Sequence, residues 1–88
     1  MQTLVTSIRN AARRELAHRS GDGLDVTLLW WPADRQNPES TVVCVCDSRE
    51  GAYFEIPTER YLALDVYYHP FAYRDFSTLD YQDSRLAA

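Results

Sequence analysis

The side chains best suited to metal or redox chemistry in this chain are Cys44 and Cys46, with His18 and His69 as further ligands. Two thiolates and two imidazoles would complete a tetrahedral zinc site. The spacing opposes it. Structural zinc sites present paired cysteines on turns, with roughly two to four residues between them. Cys44-Val45-Cys46 instead lies inside the apolar run Thr41-Val42-Val43-Cys44-Val45-Cys46. A strand sets both thiols side by side on one face, where a bridge between them would be strained. They read as free, buried thiols in a reducing compartment. A buried strand cysteine also lacks the electropositive niche and nearby base that a nucleophile needs. These residues give no metal site, no cofactor and no catalytic residue.

Acid–base chemistry has thinner support. Glu55, Glu59 and Asp65 follow one another closely, and His69 comes soon after. One arrangement would use them: a pocket between the C-terminal aromatic segment and the sheet, with His69 and Asp65 or Glu55 at its mouth. Such a pocket would serve a small-ligand binder or an enzyme. The chain contains no GxSxG, HExxH or glycine-rich phosphate loop, and it has only three glycines. Nucleic acid is the third option. Arg9, Arg13, Arg14 and Arg19 against Glu15 give residues 1–20 a charge of +3, whereas residues 21–88 carry −7. An arginine edge suits weak phosphate contact, but the net charge of −4 has the wrong sign for a dedicated nucleic-acid domain. All nine basic residues are arginines, a bias that fits a GC-rich genome.

These side chains need elements to position them. Leu4, Ile8, Ala11, Ala12 and Leu16 recur at helical spacing, and the pattern predicts an amphipathic helix over 3–19. Ser20-Gly21-Asp22-Gly23 would end it, with Gly21 as a left-handed cap. Leu24 to Trp31 reads as a strand, stopped by Pro32. The polar stretch 33–40 reads as a mobile connection. Residues 41–47 and 52–56 read as a hairpin with a type I turn at Arg49-Glu50 and Gly51 in the left-handed region. Closing that loop at Ser48 and Ala52 would set Cys46 opposite Phe54 and Cys44 opposite Ile56. The strand 41–47 is apolar on both faces, so both must be covered, by the chain itself or by a partner. Thr58 reads as the N-cap of a helix over about 59–68 that packs Leu62, Val66 and Tyr61 or Ala63, and Pro70 ends it before His69.

The expected fold class is α+β, in the order α-β-β-β-α: a three-stranded antiparallel meander with helices packed against it. Eighty-eight residues make one domain, placed at 1–83, with a frayed tail at 84–88. The N-terminus has no signal-peptide layout and no apolar run approaches the ~20 residues of a membrane span, so a cytoplasmic location without membrane contact is expected.

Aromatic residues gather toward the C-terminus: Tyr61, Tyr67, Tyr68, Phe71, Tyr73, Phe76 and Tyr81. Tyrosine gives large contact area with a polar tip, which suits protein recognition. The bland alternative is that these rings cover the sheet and complete a small core. The run Leu24-Asp25-Val26-Thr27-Leu28-Leu29-Trp30, the hairpin ending Tyr53-Phe54-Glu55-Ile56-Pro57, and Ala63-Leu64-Asp65-Val66-Tyr67-Tyr68-His69-Pro70-Phe71-Ala72-Tyr73 resemble a set of small uncharacterised proteins from high-GC actinobacteria with an "ALDVFxHPxAY"-like ending. The resemblance covers residues 24–73. It implies a stand-alone domain and supplies no activity. The expectation is a non-enzymatic protein that acts through protein contacts, with a partner or with itself, through Trp31, Tyr67, Tyr68, Phe71 and Tyr73.

Overall fold

β-branched and aromatic residues recur through the middle of the chain, and the backbone pairs accordingly. The computed structural model describes residues 13–82. Strands β1 (Arg14–Gly21), β2 (Leu24–Trp31), β3 (Ser40–Asp47), β4 (Ala52–Thr58) and β5 (Leu79–Gln82) form one five-stranded antiparallel sheet in the order β1-β2-β3-β4-β5. Between β4 and β5 the chain makes a 3₁₀ turn at Arg60–Leu62, a short helix α1 (Ala63–Tyr68) and a 3₁₀ segment at Pro70–Phe76. This is not the expected α-β-β-β-α order with three strands. The sheet gains a strand at each edge, and the helical part is a single short layer.

The larger correction is β1. Residues 14–19, expected to close an N-terminal helix, are paired with β2 from Arg14↔Trp30 to Gly21↔Leu24, with a bulge between Glu15 and Ala17. Residues 3–12 of that expected helix lie outside the described residues, as do 84–88. Ala, Arg, Glu and Leu favour helix, but by less than ~1 kcal/mol per residue, and pairing with an open strand edge outweighs that. The turn decides the matter. Asp22 and Gly23 both have positive φ, 55° and 80°, which is the geometry of a tight two-residue hairpin.

The β3–β4 hairpin closes one step earlier than expected. Asp47 pairs with Ala52, so Cys46 faces Tyr53, Val45 faces Phe54, Cys44 faces Glu55 and Val43 faces Ile56. The reason is Asp47. Its Oδ1 accepts hydrogen bonds from the Arg49 backbone N–H and from Arg49 Nε, both at 3.0 Å, and fixes a four-residue loop in which Gly51 keeps the left-handed φ of 66°. Residues 33–40 are also ordered by an aspartate. Asp34 Oδ1 accepts from the backbone N–H groups of Gln36 and Asn37, at 2.8 and 2.7 Å.

The register sends Val26 and Leu28, Val43 and Val45, and Phe54 and Ile56 to one face, where Ala63, Val66 and Tyr67 of α1 cover them. This is the core. On the opposite face Val42, Cys44 and Cys46 are half-buried. The shallow hollow over the two thiols is lined by strand side chains including Thr27, Leu29 and Tyr53, with Arg13 at its rim. Pro57 and Thr58 belong to β4, and the 3₁₀ turn is capped by Glu59 without a side-chain hydrogen bond, so Thr58 is not a cap. α1 ends at Tyr68, ahead of Pro70, as the sequence predicts. No helix among the described residues is long and apolar enough to cross a membrane.

Candidate functional site

The helical layer turns one apolar line inward and another outward. Ala63, Val66 and Tyr67, at steps of three and one, are buried against the sheet. Leu64 and Tyr68, one turn apart, face out, and Leu64 is 61% exposed. Tyr61 and Phe76, in the flanking 3₁₀ segments, are 82% and 70% exposed. Phe71 is less exposed because its ring lies edge-on to Phe54, 5.5 Å between centroids. A short helix on a sheet ordinarily shows charged residues to water. Here Leu64 and Tyr68 share the outer side of α1 with Asp65.

Two hollows flank α1. One, of about 430 Å³, lies between the end of β4, α1 and the second 3₁₀ segment, with Ile56, Leu62, Val66, Tyr73 and Phe76 around it and Glu59 at one end. The other, of about 540 Å³, lies toward β1 and β2 and is bordered by Leu16, Leu28, Trp30 and Leu64. Its polar end is tied up internally. Glu39 Oε1 accepts from Trp30 Nε1 at 2.7 Å and from Arg60 Nη2 at 2.6 Å. These two donors, Arg60 first, hold the Glu39 carboxyl below its usual range.

The five residues expected to make one contact surface are split. Tyr67 is a core residue: the Arg19 guanidinium lies 5.5 Å from its ring centre and donates to its backbone carbonyl at 3.0 Å. Tyr68 stands edge-on to Tyr67 and is exposed, as is Phe71. Tyr73 is half-buried against the core, and its phenol donates to Asp65, which raises the phenol above its ordinary value. Trp31 ends β2 on the opposite face of the sheet, in alternation with the buried Val26 and Leu28. Tyr61, Leu64, Phe76 and Glu59 are the surface residues missing from that set. Leu64 and Tyr68 at i and i+4, beside the inward Ala63-Val66-Tyr67 line, are the sequence signal for a second apolar line.

The pocket expected between the aromatic segment and the sheet exists, but with other residues. Glu55 lies on the far face, where it accepts a hydrogen bond from the Tyr53 phenol. Asp65 and His69 are exposed on the helical layer. The three therefore do not meet. The thiols and imidazoles are equally dispersed: Cys44 and Cys46 lie on the face of the sheet opposite α1, His69 follows α1, and His18 is 3.2 Å from Asp25. No group of three or more His, Cys, Asp or Glu that could hold a metal occurs among the described residues. Burial raises the Cys44 thiol, which keeps it protonated. Of the arginines expected on one helical edge, Arg14 and Arg19 are on β1 and Arg13 directly precedes it; Arg19 is committed to Tyr67 and Arg13 lines the thiol hollow. Arg9 lies outside the described residues.

No protein-family model matches the chain, and no curated protein and no solved structure is similar to it.

Proposed function

We propose that this is a non-catalytic protein-contact domain and that the outer side of its helical layer is the contact surface. One observation carries the reading. Tyr61, Leu64, Tyr68, Phe71 and Phe76 are all exposed on one short layer, beside two largely apolar hollows. Exposed apolar side chains gathered on one short layer mark candidate interaction sites, and aromatic anchors are favoured there. The 430 Å³ hollow also has the size of a small-ligand site. Its polar groups do not form an acid–base pair, which favours recognition over catalysis.

The test is the double variant Leu64→Ser/Tyr68→Ser. Both side chains face outward, so the melting temperature is expected to stay within about 5 °C of wild type. Affinity capture of a partner from a cell lysate, or any self-association measured by sedimentation, is expected to be lost. Unchanged capture and unchanged mass, with a lowered melting temperature, would assign these residues to stability and refute the reading.

A further inference from the structure

The hollow between β4, α1 and the second 3₁₀ segment has a chemistry that narrows its occupant. Its floor is Ile56 and Val66, both at 1% exposure, and Phe76 stands at its solvent side. An apolar side chain seated there would cover the core from outside. The charges around it are one-sided. Both arginines of the layer are engaged, Arg60 with Glu39 at 2.6 Å and Arg74 with Asp80 at 2.7 Å. Glu59, Asp65 and Asp75 have no basic partner among the described residues. Asp65 accepts a hydrogen bond from the neutral Tyr73 phenol, and no basic side chain among the described residues compensates its charge.

A second copy of this chain is a poor occupant. A two-fold contact brings the same patch to itself, and Glu59, which lines the hollow, and Asp65, bonded to Tyr73 of its lining, would face their own like charges. An acidic or phosphorylated segment meets the same repulsion. Resting on the contact-domain reading above, we infer that this hollow receives an apolar side chain from a basic segment of a partner protein, with an adjacent lysine or arginine against Glu59 and Asp65.

Two six-residue peptides test this: a pair of leucines flanked by lysines, and its glutamate-flanked twin. Methyl resonances of Ile56, Leu62 and Val66 report the site. The lysine peptide is expected to shift them saturably, with a Kd of about 1 mM or tighter that weakens with salt. The glutamate twin is expected to bind at least tenfold more weakly. Glu59→Lys should weaken the lysine peptide about tenfold, and the milder Glu59→Gln about threefold, as for an exposed ion pair. Phe76→Ala should weaken both peptides. Equal binding of the twins at these methyls would overturn the basic partner while leaving the contact surface standing. Binding away from these methyls, or none, would overturn the inference itself. The contact reading would then still be judged by Leu64→Ser/Tyr68→Ser.

Discussion

Asp47 is a charged side chain at 1% exposure, at the closing pair of the β3–β4 hairpin. Its carboxylate holds Arg49 through Nε at 3.0 Å and Nη2 at 3.1 Å, and these bonds keep its carboxyl below the usual range. A folded-state value lowered in this way contributes stability that is complete above the unfolded carboxyl range near pH 4 and is lost as pH falls through the lower folded value. Asp80, lowered by Arg74, acts in the same direction. Chemical denaturation between pH 7 and pH 2 should therefore show stability falling below about pH 4, with a shallower fall in Asp47→Asn. That variant should also lose about 1.5–3 kcal/mol at pH 7, the worth of hydrogen bonds to a charged group. Gly23 depends on the same loop. A methyl group there would lie 2.8 Å from Arg49 Cγ, at a φ of 80°. Gly23→Ala should cost about 1–3 kcal/mol in a urea titration.

At the scale of elements, the strands differ in how they are held. β3 is central, paired on both sides, and its Val43 and Val45 are fully buried. β5 is four residues long, entirely exposed, and rests on the Tyr53–Tyr81 ring contact and the Arg74–Asp80 pair. Amide hydrogen exchange should be slowest in β3, faster in β1 and fastest in β5. Equal protection of β5 and β3 would contradict this arrangement. Several elements were legible in advance because their signals are local. Pro32 bounds β2, Pro70 bounds α1, and Gly51 takes the left-handed turn position. β1 is not legible as a strand because its composition favours helix, and only the Asp22-Gly23 dipeptide signals a hairpin. β5 was not legible: Leu79-Asp80-Tyr81-Gln82 carries little strand signal and is ordered by the β4 edge.

For the whole molecule, the consequence is a core built on one face of one sheet. Phe54 lies at its middle, fully buried, with Phe71 edge-on and the Arg74 guanidinium 4.6 Å from its ring centre. A domain this small holds about 5–10 kcal/mol in total, and Phe→Ala in a core costs about 3–5. Phe54→Ala should lower the thermal midpoint by well over about 10 °C by circular dichroism, whereas Phe71→Ala should shift it only modestly. The second face behaves differently. Val42, Cys44 and Cys46 are half-buried rather than sealed, so the strand that is apolar on both sides has one closed flank and one shielded mainly by neighbouring side chains. The chain alone determined that β3 would be central, because strand patterning and proline placement are properties of adjacent residues. Tertiary structure alone decided which aromatics face water. That choice depends on a one-residue hairpin register and on which strand edges remain open, and neither is encoded in any single local run.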